Sequence, residues 1–304
     1  MTKTPLFYGT ATALITPFLR ENPDRIDEDA FRGLVRAQAD AGIDALVAAG
    51  TTGEASALTD AEHTRLIALA KECAPAVPVI AGCGAPTTAR AQALVRDACH
   101  AGADAVLIVT PYYNKCSQEG LYRHYMTLAD TSTVPVILYE VPSRTGMKVA
   151  LDTYIRLSAH NNITALKDAT GDLERAVLLR EAVGDALTLY AGSDGVVVPM
   201  LSVGASGVIS VLSNLLPHAV SQMCRAWFSG DTLRAAAMQC RYAPLIRALF
   251  SEVNPIPVKA AAAALGMCGA DYRLPLCGMD TDAVTAIIRM VRQLEAEYEK
   301  MPLI

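Results

Sequence analysis

Lysine is scarce in this sequence, occurring only at Lys3, Lys71, Lys115, Lys148, Lys167, Lys259 and Lys300. Lys167 alone directly follows an apolar strand-like run, Ile163-Thr164-Ala165-Leu166. An ammonium at the end of a buried strand is costly to desolvate, so burial there favours the neutral amine, the form that attacks a carbonyl carbon and builds a Schiff base. The same position also suits a structural ion pair with Asp168 or Glu140, and position alone leaves both readings open. Lys259, within Pro255-Ile256-Pro257-Val258-Lys259, is the other lysine in apolar surroundings. It opens a helix outside the strand–helix repeat and reads as structural.

Three further stretches place polar groups directly after apolar runs: Gly50-Thr51-Thr52-Gly53-Glu54, Thr110-Pro111-Tyr112-Tyr113-Asn114, and Tyr139-Glu140-Val141-Pro142-Ser143-Arg144-Thr145-Gly146. With Lys167-Asp168-Ala169-Thr170 they offer an amine, phenols, hydroxyls and a guanidinium. The two glycines around Thr51 and Thr52 suit a turn that exposes backbone N–H groups to a carboxylate, although an ordinary tight turn has the same spelling. Tyr139 at a strand end is equally compatible with an amphipathic core residue and with a proton donor.

These groups converge only if the elements behind them are arranged around one centre. The chain alternates strand-like and helix-like segments from Phe7 to Phe228. The expected strands are Tyr8–Pro17, Ala45–Ala49, Pro78–Gly82, Ala105–Thr110, Pro135–Tyr139, Thr164–Lys167, Thr188–Ala191 and Gly207–Val211. Helices are expected at Asp27–Ala41, Asp60–Glu72, Thr87–His100, Gln118–Thr131, Leu151–Ala159, Asp172–Ala182, Gly195–Val203 and Pro217–Phe228. Asp27 and Thr59 stand as N-caps, Glu62 completes a capping box with Thr59, and Gly42, Gly102 and Gly184 mark helix ends. Eight strands with eight helices predict an α/β fold of the (β/α)8 TIM-barrel class over residues 1–229, with reactive groups at the C-terminal ends of the strands. A doubly wound sheet would need a phosphate-cradling glycine loop after its first strand, and none is present; Gly82-Cys83-Gly84 reads as a turn. Residues 230–304 carry no strand signal and read as a C-terminal helical extension with helices at Asp231–Ser251, Pro257–Leu265 and Asp280–Lys300, serving packing or assembly.

Composition narrows the partners. The 304 residues are 52% hydrophobic and 19% charged, with a net charge of −5, which describes a well-packed globular enzyme. Arginines are scattered singly, so the basic patch of a nucleic-acid binder is missing. No leader-like segment opens at Met1–Pro5 and no apolar run reaches membrane-spanning length, so a cytosolic protein without membrane association is expected. Eight cysteines without a C-x-x-C pair read as free thiols, and five histidines without ligand spacing imply no metal.

Taken together, Gly50-Thr51-Thr52-Gly53-Glu54, Tyr112-Tyr113, Tyr139 with Pro142-Ser143-Arg144-Thr145-Gly146, and Lys167-Asp168-Ala169-Thr170-Gly171 resemble the dihydrodipicolinate synthase family. Gly207-Val208-Ile209-Ser210-Val211 and Asn254-Pro255-Ile256-Pro257-Val258-Lys259 extend the resemblance over nearly the whole chain. The resemblance implies condensation of pyruvate with L-aspartate 4-semialdehyde, on the way to lysine and diaminopimelate, with no separate cofactor. It implies that Lys167 forms the Schiff base, that Tyr139 moves protons, and that Thr51 relays them to Tyr113 of a neighbouring subunit. It further implies that Thr52 with the backbone of Ile209 and Gly192 holds pyruvate, that Arg144 clamps the carboxylate of the aldehyde, and that the enzyme is a homotetramer, a dimer of dimers. The alternative within the wider superfamily is a pyruvate-dependent aldolase acting on a sugar acid, of the N-acetylneuraminate lyase or 2-keto-3-deoxygluconate aldolase type. Those enzymes usually lack the Pro-Ser-Arg-Thr-Gly string. Two departures stand out. Glu140 replaces an Asn common beside the tyrosine, and Pro86 and Arg90 replace an Asn and a Glu of lysine-inhibited members, so weak or absent lysine feedback is expected. Ser56 and His63, near that regulatory position, read as ordinary loop and helix surface.

Overall fold

Strand-forming runs of small and β-branched residues close on themselves in the computed structural model, which describes residues 2–298. The strands are β1 (Gly9–Ala13), β2 (Phe18–Leu19), β3 (Asn22–Ile26), β4 (Ala45–Ala48), β5 (Val79–Gly82), β6 (Ala105–Val109), β7 (Val136–Glu140), β8 (Ile163–Asp168), β9 (Thr188–Ala191) and β10 (Gly207–Ser210). Eight of them form a closed parallel barrel in the order β1-β10-β9-β8-β7-β6-β5-β4, the expected TIM barrel. The first strand is shorter than expected. After Leu14, whose N–H still donates to the Val47 carbonyl at 3.0 Å, the chain leaves the ladder, Ile15 N donating to Asn214 Oδ1 at 3.2 Å and Thr16 Oγ1 to the Gly53 carbonyl at 2.7 Å. Pro17, which has no N–H to donate, could not have continued a ladder on both sides. The antiparallel hairpin β2–β3 follows; its exposed sequence Asn22-Pro23-Asp24-Arg25 lacks the apolar alternation by which strands are read.

Helix boundaries follow the expected caps. The Asp27 carboxylate accepts from Ala30 N at 3.0 Å, Thr59 and Glu62 form a reciprocal capping box, and Gly42, Gly102 and Gly184 take φ of 71°, 89° and 52° after their helices. Those conformations strain any side chain with a Cβ.

Alternation along the strands sorts the core into two layers. Inward residues such as Ala13, Val47, Leu107, Tyr139, Ala165 and Ile209 fill the barrel, and the outward set packs against the helices. Phe7 plugs the N-terminal end, its ring stacked on Tyr190 at 4.2 Å while the Tyr190 hydroxyl donates to the Phe7 carbonyl at 2.9 Å. With that end sealed, the barrel opens at the opposite mouth.

The C-terminal region forms helices Thr232–Leu249, Ile256–Ala264 and Thr281–Tyr298; Glu299 and Lys300, expected in the last of these, lie outside the described residues. Ile256 through Ala262 are all buried, so the middle helix is a core element rather than a peripheral one. Among the described residues no helix is long and apolar enough to cross a membrane.

Candidate active site

The chemistry-bearing stretches meet because each sits at the C-terminal end of a barrel strand. In register, Tyr139 on β7 lies beside Lys167 on β8, and both side chains point into the barrel. Lys167 is 6% and Tyr139 7% exposed, and the Lys167 Nζ lies 4.4 Å from the centre of the Tyr139 ring. Above them opens a cavity of about 310 Å³ whose lining includes Thr51, Thr52, Tyr112, Tyr139, Arg144 and Lys167.

Strand alternation removes the ion-pair alternative for Lys167. Glu140 and Asp168 follow Tyr139 and Lys167 directly and therefore face the opposite side of the sheet. The fully buried Glu140 carboxylate accepts from the Tyr154 hydroxyl at 2.6 Å and Val149 N at 2.9 Å, and it pairs with Arg175 at 2.8 Å. Asp168 accepts from Thr170 N at 2.8 Å and its hydroxyl at 2.7 Å. Among the described residues, Lys167 has no carboxylate within 4 Å. Its amine is buried with no carboxylate at ion-pairing distance, and the buried Asp194 carboxylate is felt only through its field.

The Gly50–Glu54 loop turns sharply after β4, with Ala49 and Glu54 at φ of 51° and 56°. The N–H groups of Gly53, Glu54 and Ala55 close the turn on the Gly50 and Thr51 carbonyls. Gly82 lets β5 approach this loop, since a Cβ there would come within 2.3 Å of the Ala49 carbonyl oxygen. Glu54 holds the loop from below. Its carboxylate meets the Lys259 Nζ at 2.7 Å, with Lys259 fully buried and resting against Phe18 at 4.1 Å. Burial pulls the Lys259 pKa down, opposed by the Glu54 charge. Lys259 is therefore structural, as expected, and its partner gives that role a definite form, because the pair ties the extension to the loop that carries Thr51 and Thr52.

Arg144 sits on a single helical turn, Pro142–Thr145, closed by Gly146 at φ 66°, and its Nη2 donates to the Asn254 carbonyl at 2.8 Å. Ile209 is buried inside the barrel beneath the mouth, and neither it nor Gly192 is among the residues lining the cavity. The Gly192 N–H donates to the Asp168 carbonyl at 2.7 Å, and a Cβ there would come within 2.8 Å of that same oxygen. Tyr113 is set apart: it is 92% exposed, at φ 64°, and outside the lining of its own cavity. The neighbouring Tyr112 takes that place, half-buried, with burial pushing its phenol pKa up against the opposing Arg90 charge.

Sequence reasoning missed the contribution of the extension. Val253, Asn254, Pro255, Arg273, Pro275 and Leu276 also line the cavity, and Arg273 is anchored on Glu62 at 2.5 Å. The signal that could have found it was the Asn254-Pro255-Ile256-Pro257 string, an irregular interruption between two helices. His63 is a correction: it is buried rather than on the surface, with its Nε2 2.7 Å from the Gly82 carbonyl, and burial lowers its pKa. Ser56 is exposed, as expected, but at the rim of the cavity. Arg90 forms a two-pronged ion pair with Asp60 close by.

The whole chain is similar to known proteins. The model of the "Dihydrodipicolinate synthetase family" matches residues 6–294. The 4-hydroxy-tetrahydrodipicolinate synthase of Geobacter sulfurreducens is 44% identical over 275 residues, 90% of this chain and 94% of its own. That of Geobacter metallireducens is 42% identical over 291 residues, 95% and 99% of the two chains. Among solved structures, the synthase from Methylacidiphilum fumariolicum SolV superposes with a TM-score of 0.92 at 38% identity, covering 96% of this chain and 98% of its own. The Acinetobacter baumannii enzyme, solved with pyruvate, gives 0.91 at 38% identity, covering 95% and 99%. A match over nearly the full length, on a barrel whose mouth carries the lysine, tyrosine and arginine just described, places this chain in the dihydrodipicolinate synthetase family.

Proposed function

We propose that this chain is a 4-hydroxy-tetrahydrodipicolinate synthase that condenses pyruvate with L-aspartate 4-semialdehyde through a Schiff base on Lys167. The single observation that carries the residue assignment is the buried Lys167 amine, unpaired by any carboxylate among the described residues and set against Tyr139 at the floor of the barrel mouth.

The Lys167 amine attacks the pyruvate ketone, and loss of water leaves a protonated imine that draws electrons from the methyl carbon. Removal of a methyl proton gives the enamine, whose carbon attacks the aldehyde of the second substrate and forms the carbon–carbon bond. The amino group of the semialdehyde then attacks the imine carbon, closes the ring and releases Lys167. One water leaves overall. Tyr139 is the group placed to give and take these protons. Thr52, with the backbone of Ile209 and Gly192, helps hold pyruvate, and the Arg144 guanidinium receives the carboxylate of the semialdehyde. Confinement beneath the extension raises the effective concentration of the two reactants and limits water.

Tyr113 projects away from its own cavity, so its proposed role is to complete the site of a second copy. Thr51 then relays protons between Tyr139 and that tyrosine, and a homotetramer of paired dimers is the assembly this implies. A cytosolic location accompanies the reading.

Borohydride added in the presence of pyruvate should leave one reduced pyruvyl adduct, found by mass spectrometry on Lys167 and absent without pyruvate. An adduct on another lysine, or normal condensation by Lys167→Ala, overturns the assignment. Turnover of a sugar aldehyde in preference to aspartate semialdehyde would move the enzyme to the sugar-acid aldolases.

A further inference from the structure

Two residues of the extension grip the Gly50–Glu54 loop from outside the barrel. Lys259 holds Glu54, and five residues earlier Asn254 holds Thr52, its Nδ2 donating to Thr52 Oγ1 at 3.0 Å. Asn254 is 8% and Thr52 3% exposed, and both line the cavity. The Asn254 backbone is itself anchored, because its carbonyl accepts from Arg144 and the helix beginning at Ile256 is buried through Ala262.

A threonine hydroxyl has one proton and two lone pairs. Once Asn254 donates to the oxygen, the hydroxyl proton must point elsewhere. Among the described residues the Thr52 hydroxyl donates to no protein acceptor; the open volume beside it is the cavity. With the amide in this orientation its own Oδ1 is buried without a partner among the described residues, and the Thr52 hydroxyl proton is left available to a bound anion. We propose that Asn254 is a positioning residue for recognition of the pyruvate carboxylate, acting by setting the donor direction of the Thr52 hydroxyl. The proposal deepens the synthase reading and rests on it.

The polarity of the side chain at 254, rather than its size, is what should matter, and an isosteric pair tests this. In Asn254→Asp the carboxylate can only accept, so Thr52 donates to it and presents lone pairs to the substrate. Asn254→Ala merely frees the hydroxyl to rotate. The expected result is a pyruvate KM raised about tenfold in Asn254→Ala, the scale of one weakened hydrogen bond to a charged group. Asn254→Asp should be raised further, with kcat at saturating pyruvate changing less than KM in both. A purely structural role predicts the reverse order, since Asp fills the space that Ala leaves empty. A second arm introduces Asn254→Ala into Thr52→Val, where it should add roughly twofold or less to KM because the hydroxyl it orients is gone. An Asp variant that binds pyruvate as well as the Ala variant, or an Ala effect that persists in full without the Thr52 hydroxyl, overturns the proposal. Borohydride trapping of the unsubstituted enzyme separates the two levels. If it traps no pyruvate on Lys167 the Schiff-base reading fails; if it does and the variants rank otherwise, only the role of Asn254 fails.

Discussion

Replacing Lys259 by Met isolates the Glu54 carboxylate in a nearly dry site. The two groups lie 2.7 Å apart, with Lys259 fully buried and Glu54 3% exposed. Beyond Lys259, among the described residues, the Glu54 carboxylate keeps a long contact from Arg273 N at 3.5 Å. Removing one partner of such a pair typically costs about 3–5 kcal/mol, because the remaining charge is left without compensation. The net worth of the pair is smaller than that figure, since burial of the ammonium opposes it, and this is why the Lys259 pKa falls. The comparison that matters is therefore between the single variant and the double variant Lys259→Met with Glu54→Gln. Urea unfolding should show a loss of about 3–5 kcal/mol for Lys259→Met and a distinctly smaller one for the double variant, where no buried charge remains. Pyruvate KM should rise in both, because the loop holding Thr51 and Thr52 has lost its anchor. A single variant within about 1 kcal/mol of the starting protein, or a double variant whose loss equals the sum of the two singles, would show that the pair does not behave as a coupled buried unit.

Three other outcomes are expected. His124 is 4% exposed, and burial lowers its pKa to about 4; the unfolded chain therefore binds a proton near pH 6.5 that the folded chain refuses. Its contribution to stability is complete above about pH 6.5 and is lost as the pH falls toward about 4, amounting to roughly 3 kcal/mol, and urea titrations across that window should show the slope diminish in His124→Gln. Glu140→Gln leaves Arg175 without its 2.8 Å partner and should destabilise by about 1–3 kcal/mol, while trapping of pyruvate at saturation persists; loss of trapping with stability intact would instead give Glu140 a part in the chemistry. The resemblance implies that L-lysine inhibits weakly or not at all, since Arg90, paired with Asp60, stands where lysine-inhibited members of the family carry a Glu, and an inhibition curve with a low-micromolar midpoint contradicts this.

The barrel was legible in the order of residues because its logic is local. Unbroken apolar runs such as Val136-Ile137-Leu138-Tyr139 bury one face inside and one beneath helices, caps such as Thr59 with Glu62 act within one turn, and glycines such as Gly42 report their own backbone conformation. Lys167, Tyr139, Thr51, Thr52 and Arg144 could be singled out because closing a parallel barrel brings every strand end to one mouth. The hairpin β2–β3 escaped, because β2 is only two residues long and β3 is exposed and without alternation.

The order of residues alone could not decide which of two readings held for Lys167, because an amine beside two carboxylates in sequence is compatible with both; only the pleat, turning Glu140 to Arg175 and Asp168 to Thr170 on the outer face, separates them. Nor could it place Asn254 on Thr52 or Lys259 on Glu54, contacts that span 202 and 205 residues. Periodicity reports which face of an element is apolar, whereas partners so distant along the chain are chosen by how the finished extension settles over the barrel mouth.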